Sequence, residues 1–428
     1  MQEKDDNKMK TALAEIVSIG DELLIGQVVN TNASWMAHEL NQAGITVVQV
    51  TTVRDDRDAI TTAITDAMNR ADIVLTTGGL GPTKDDITKS VLCEMFHTHL
   101  VEDAGVHEHV LALYKNRPDV LNRLTETQWL VPEAATILPN RVGSAPIMVF
   151  GQSDGKVVVS MPGVPHEMQV AMREQVLPYL CKRQSNEGGE PIHVIHRTVM
   201  VYGIPESTLA LRIAQWENNL PSSIHLAYLP KQGVVRLRLS SYGEAGAAEV
   251  EQQIQSLLPL IAGNVIATED LPLELILGQW LVSRHQTIAT AESCTGGRLA
   301  ALLNEHSGSS AYYMGSVIAY DNSVKSQVLG VSPETLAKDG AVSEACVRQM
   351  AEGVRNLLHT DYAIATSGVA GPTGGTPDKP VGTVWIAWAT PFGTQAECCH
   401  FFGDRNQVTN TAAMAAIGKL LLKLKHEA

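Results

Sequence analysis

Positive charge is scarce in this sequence. Its 428 residues carry 32 Lys and Arg against 46 Asp and Glu, a formal charge of −14. The clustered cations that neutralise a phosphate backbone or an anionic bilayer are missing, so neither nucleic acid nor membrane is expected as a partner. No apolar run approaches the roughly 18 residues of a membrane span, and MQEKDDNKMK mixes both signs of charge where a signal peptide would carry an apolar core. The six cysteines (Cys93, Cys181, Cys294, Cys346, Cys398 and Cys399) form no CxxC pair and no regular framework. That argues against a disulfide-stapled secreted fold and for a reducing, cytoplasmic compartment. There is no GxGxxG fingerprint, no long internal repeat and no low-complexity tract.

What is present is globular. Hydrophobic residues make up 44% and charged residues only 18%, so disorder is expected only at the ends, with about ten frayed residues at the start. At about 150 residues per domain, the length suggests two or three domains. From Ala14 onward AEIVSIG, NASWMAHELNQAG, ITVVQVTTV, RDAITTAITDAMNRA and DIVLTTGG alternate strand-like and helix-like runs, which predicts βαβ units on a parallel sheet. CKRQSNEGGEPI (181–192) reads as a linker. Residues 193–267 form a small α+β rhythm. A second α/β pattern begins at Leu271 and includes the strands TIATA, SVIAY, YAIATSG and GTVWIAWAT. The expected domains are 12–180, 190–268 and 271–428, with the two outer ones folding independently.

Ligands of α/β sheets sit at the carboxyl ends of strands, where glycines let backbone N–H groups approach an anion. TIATAESCTGG (287–297) and YAIATSGVAGPTGGTPDKPVG (362–382) are two such loops in one domain, the second bearing Gly368, Gly371, Gly374 and Gly375. Together they suggest a phosphate-bearing ligand. Between them GSVIAYDNSVKSQVLG supplies Tyr320 and Lys325. If Ser323 caps the short helix that follows, Lys325 lies in its first turn, where the dipole disfavours an ammonium and lowers its pKa. A serine hydroxyl needs a base, and a neutral lysine serves where no histidine is placed to do so. Ser293 is therefore preferred to Cys294, since His285 and His306 have no motif-like relation to that thiol. Read singly, Lys325 is also compatible with a solvated surface lysine, and Arg405 with either a salt-bridged surface group or an anion clamp.

AESCTGG, GSVIAYDNSVK, ATSGVAGPTGG and FFGDR, in this order, resemble the C-terminal domain of the CinA family, the nicotinamide-nucleotide amidohydrolases. The resemblance implies an α/β amidohydrolase domain that hydrolyses the carboxamide of nicotinamide mononucleotide to nicotinate mononucleotide and ammonia without a cofactor. By matching position Ser293 is the nucleophile, Lys325 its base and Tyr320 a partner in the proton network, with Ser367 and Arg405 as substrate-binding or supporting groups. An acyl-enzyme needs an oxyanion hole, expected at the N–H groups of Thr295, Gly296 and Gly297. A homodimer is expected.

At the front of the chain, ADIVLTTGGLGPTKDDIT (71–88) places Asp85 and Asp86 after a strand and a glycine loop. Paired carboxylates beside a phosphate cradle suit a divalent ion such as Mg, Mn or Co, although an acidic pair also stabilises a helix start through its dipole. SIGDELLIGQVVNTN adds Asp21, Glu22 and Asn32, and SMPGVPHEM ends a third strand. GDELLIG, TGGLGPTKDD and MPGVPHEM resemble the molybdopterin-binding-like domain of CinA proteins, a three-layer α/β fold of MoaB/MogA type associated with metal-dependent ADP-ribose pyrophosphatase activity. The segment 136–150 departs from the family's usual GTAPG run, with Ser144 for threonine and Ile147 for glycine, and Trp129 stands where alanine is usual. Loss of that glycine predicts a weakened or silent first site. The middle module resembles the family's KH-like connector, but Glu244 in its GEAG loop would repel a phosphate backbone, so RNA binding is not expected. The alternative to an enzyme is a regulatory protein that binds nucleotides or molybdopterin without catalysis.

Overall fold

The computed structural model describes residues 12–83, 85–117, 121, 125–186, 194–231, 233–243 and 245–427. The chain divides into two compact units, residues 1–195 and 196–428. Among the described residues no helix is long and apolar enough to cross a membrane.

In the first unit β1 (Leu13–Ile19), β2 (Thr46–Val53) and β3 (Ile73–Thr77) precede a short two-stranded pair, β4 (Leu100–Glu102) and β5 (Leu130–Pro132). They are followed by β6 (Thr136–Leu138), β7 (Ile147–Gly151) and β8 (Val157–Met161). The main sheet runs β2-β1-β3-β8-β7-β6, parallel from β2 to β8 and antiparallel beyond. Every residue of β3 and β8 is buried, as expected for central strands covered on both faces. Alternation along β1 sends Ala14 and Ile16 into one core with helix Thr31–Gln42 and Val17 and Ile19 into the other with helix Arg57–Arg70. Three layers result. The helix Leu177–Asn186 continues into the expected linker, and residues 187–193 lie outside the described ones, as do the first eleven.

The second unit opens with β9 (Val194–Tyr202), β10 (His225–Lys231), β11 (Val234–Tyr242) and β12 (Val265–Ala267), in the order β10-β11-β9-β12. Its GEAG loop contains Glu244, which is outside the described residues. The larger sheet comprises β13 (Ile288–Glu292), β14 (Tyr313–Ile318), β15 (Tyr362–Gly368), β16 (Thr383–Thr390) and β17 (Gly393–His400), ordered β14-β13-β15-β16-β17. The pairs β13-β14 and β13-β15 are parallel, and the last two pairs are antiparallel.

The expected boundary at 268–271 lies inside the second compact unit. Met200, Tyr202, Val234 and Ile266 share one core with Leu277, Val408, Ala412 and Leu421. The Tyr202 hydroxyl donates to Ala415 O at 3.4 Å, and a Cβ on Gly418 would stand 2.3 Å from the Tyr202 ring. The connector and the last domain are therefore packed as one unit around the helix Arg405–Glu427, which the sequence reading did not assign.

Candidate active site

The β13 strand ends in a carboxylate, Glu292, and the chain then turns through Gly296 and Gly297 into the helix Arg298–Leu303. Both glycines have positive φ, +59° and +99°, which is the conformation that only glycine adopts cheaply. Ser293 sits at the start of this turn. Its N–H donates to Thr366 O of β15 at 2.9 Å, which ties the nucleophile's backbone to the neighbouring strand, and 9% of the residue remains accessible.

Lys325 is 1% exposed, so the surface reading of this lysine does not hold. Its Nζ donates to Ala319 O at 2.7 Å and Tyr320 O at 3.1 Å, while Ala319 N donates to Glu292 O at 2.8 Å. Two hydrogen bonds in series thus connect the end of β13 to the lysine. Burial pushes the Lys325 pKa below its ordinary value, opposed by the electrostatic influence of Cys346, Asp321 and Cys294. The expected cause was different. Asp321, not Ser323, caps the helix Asn322–Gln327, accepting from Ser323 N at 2.8 Å. Lys325 is then four residues past the cap, so desolvation rather than the dipole favours its neutral form.

Tyr320 is 65% exposed. Its hydroxyl accepts from Arg405 Nη2 at 3.2 Å, and Arg405 Nη1 donates to Gly371 O at 2.9 Å. Arg405 also exerts an electrostatic pull on Cys294. The structure therefore gathers the 293–297 turn, Tyr320, Lys325, Arg405 and Gly371. Cys294 is 6% exposed and its thiol is pushed up to about 12, chiefly by burial, which makes it a poor nucleophile.

Other expected binding groups are turned inward. The Ser367 hydroxyl donates to Ala341 O at 2.6 Å and the residue is 1% exposed. Thr295 Oγ1 is buried between Glu292 and Thr366, each at 2.7 Å. Gly297 N donates to Glu292 Oε2 at 3.0 Å, so it is not free to hold an oxyanion. Gly368 lies against β16, where a Cβ would meet Thr383 O at 2.6 Å.

In the first unit the three quoted motifs converge on a cavity of about 360 Å³, lined by Gly20, Asn32, Asp55, Gly79, Asp85 and Asp86 among others. Gly78 has φ +110°, and a Cβ there would strike Ile19 O at 2.0 Å. The N–H groups of Gly79 and Leu80 have no hydrogen-bond partner among the described residues. Asp86 accepts from Gly81 N at 2.8 Å and from Thr83 N at 2.9 Å, bracing the loop. Asp21 lies off the cavity lining, and no three His, Cys, Asp or Glu among the described residues are arranged to hold an ion. Asp55, which the sequence reading missed, accepts from Asp21 N at 3.1 Å, and burial raises its pKa.

The departures from the family pattern lie elsewhere. Ile147 is a fully buried core residue of β7, Ser144 borders a separate cavity, and Trp129 stacks on His107 at 4.2 Å. None of them lines the glycine-loop cavity. Lys89, another residue the sequence reading missed, donates to Thr127 O, Gln128 O and Leu130 O at 3.0–3.1 Å. Burial lowers its pKa to about 8.

Residues 270–424 match the family described as CinA C-terminal domain, residues 15–182 that described as Probable molybdopterin binding domain, and residues 196–262 that described as Damage-inducible protein CinA KH domain. A CinA-like protein from Cytophaga hutchinsonii is 45% identical over 379 residues, 88% of this chain and 89% of its own. One from Flavobacterium psychrophilum is 42% identical over 420 residues, 96% of this chain and 99% of its own. The crystal structure of a competence damage-inducible protein A from Klebsiella pneumoniae, 42% identical, covers 36% of this chain and 97% of its own with a TM-score of 0.36.

Proposed function

Since this chain belongs to the CinA family, we propose that its C-terminal site hydrolyses the carboxamide of nicotinamide mononucleotide, releasing ammonia and nicotinate mononucleotide. The observation that carries this reading is a buried, desolvated lysine joined by two hydrogen bonds in series to the strand end that bears Ser293. Neutral Lys325 takes the Ser293 proton as Oγ attacks the carboxamide carbon, and returns it to the departing ammonia. Water then attacks the acyl-enzyme with Lys325 again as base. Arg405 and the glycine loop beside it supply positive charge and backbone for the phosphate. Incubating the protein with nicotinamide mononucleotide should yield ammonia and nicotinate mononucleotide in equal amounts. Tight binding without ammonia would favour a regulatory, non-catalytic role.

A second reading concerns the first unit, and its cavity favours it, with Gly79 and Leu80 N–H groups that have no partner among the described residues. That cavity takes a phosphate-bearing nucleotide or pterin, ADP-ribose being the candidate to try. Because the carboxylates there do not form an ion-holding set among the described residues, no hydrolytic step is assigned. Calorimetry with ADP-ribose should give binding that Gly79→Val abolishes, since a Cβ at 79 meets Thr88 Oγ1 at 2.1 Å.

A further inference from the structure

The turn after β13 contains a carboxylate that the reaction scheme above leaves unused. Glu292 is fully buried. Its Oε2 accepts from Thr295 Oγ1 at 2.7 Å, Gly297 N at 3.0 Å and Leu299 N at 3.1 Å, and its Oε1 accepts from Ala300 N at 2.8 Å. The charge is met by oriented dipoles at a helix start, which offset the cost of burying a carboxylate.

This arrangement settles which N–H groups of the turn remain available. Ser293 N donates to Thr366 O, Gly296 N to Ser293 O at 3.3 Å and Arg298 N to Thr295 O, while Gly297, Leu299 and Ala300 serve Glu292. From 293 to 300 only Cys294 N and Thr295 N have no oxygen acceptor among the described residues, and both favour the thiolate form of Cys294. A thiol is a weak acceptor that an oxyanion displaces.

We propose that Glu292 is the positioning residue of the nucleophile turn: by drawing the Thr295 hydroxyl and the N–H groups of Gly297, Leu299 and Ala300 to itself, it leaves the N–H groups of Cys294 and Thr295 as the oxyanion donors. This rests on Ser293 being an acyl-transfer nucleophile. When the Ser293 Oγ–carbon bond forms, the carbonyl π pair moves onto oxygen and into these two donors, and the serine proton goes to Lys325. When the pair returns, the C–N bond breaks and ammonia leaves with that proton. The donors sit at the residue after the nucleophile and the next one, and not at the glycines.

The test uses the full chain and two readouts: kcat and KM on nicotinamide mononucleotide, and the rate at which a fluorophosphonate labels Ser293, followed by mass. That probe loses fluoride as the serine–phosphorus bond forms and places its phosphoryl oxygen where the oxyanion would lie. Glu292→Gln keeps one oxygen but turns an amide toward N–H donors. It should lower kcat and the labelling rate together by on the order of 10²-fold, with KM changed only about twofold. If Glu292→Gln does not fold, Thr295→Val removes one of the four bonds and should slow both readouts about tenfold. A folded Glu292→Gln labelled at the wild-type rate overturns the proposal, as does a Thr295→Val variant with full rates or a wild type whose Ser293 is never labelled. Slow labelling of the Glu292→Gln variant in a protein that releases no ammonia would instead refute the substrate reading and leave the positioning role standing.

Discussion

Replacing Lys325 with Met separates its chemistry from its packing. The side chain is 1% exposed and its Nζ serves two carbonyls, Ala319 O and Tyr320 O. Leaving a buried acceptor unpaired costs about 1–3 kcal/mol. Burial also disfavours the ammonium, so removing the amine relieves part of that cost, and the net loss of stability should be about 1–2 kcal/mol, a drop of only a few degrees in Tm. Activity should fall far more, by about 10³, the usual worth of a general base. Lys325→Arg should be as inactive, because guanidinium does not give up its proton. The pH dependence follows from the same displacement. A base must be neutral, so wild-type kcat/KM should rise about tenfold per pH unit below the lowered Lys325 pKa and then level, and the Met variant should lack this limb. For stability, the unfolded chain keeps the lysine proton up to its ordinary value of about 10.4 while the folded chain releases it earlier. The unfolded state thus holds more protons between the two values, and this group's contribution to stability increases as pH rises through that window. A folded Lys325→Met variant with more than a tenth of wild-type activity, or with an unchanged acid limb, would refute the base assignment.

Restoring the family's usual residues through Ser144→Thr with Ile147→Gly should not improve nucleotide binding in the first unit. Emptying the Ile147 site in the core should cost about 3–5 kcal/mol, read by urea denaturation. Lys89→Met should destabilise that unit by about 2–4 kcal/mol through the loss of three hydrogen bonds to backbone carbonyls, with the loss seen in the same assay. A fragment of residues 194–428 should fold and retain deamidation, whereas one of 271–428 exposes the core that Tyr202 covers and should aggregate or melt earlier in a thermal scan. A well-folded 271–428 fragment would contradict the shared core.

Strand and helix rhythm was readable because β-branched runs and amphipathic repeats are local features. The αβ order of both outer regions, the two glycine loops and the Ser293, Tyr320, Lys325 and Arg405 group all followed from it or from motif resemblance. What was hidden depends on contacts distant in sequence. The join between Tyr202 and the helix Arg405–Glu427 spans more than half of the second unit, so nothing near residue 268 announces it. The inward turn of the Ser367 hydroxyl requires Ala341 O, and the bracing role of Asp86 requires the loop to fold back on it. Glu292 was visible as an acid but not as a cap, since two of its donors come from a helix that begins six residues later.

The most direct test of the central claim is ammonia release from nicotinamide mononucleotide by Ser293→Ala and Cys294→Ala, measured side by side with wild type. The account predicts that Ser293→Ala loses activity by at least about 10³ while Cys294→Ala, which removes a buried thiol and leaves both oxyanion N–H groups in place, keeps most of it. Equal loss in the two variants, or ammonia release that survives Ser293→Ala, would contradict it.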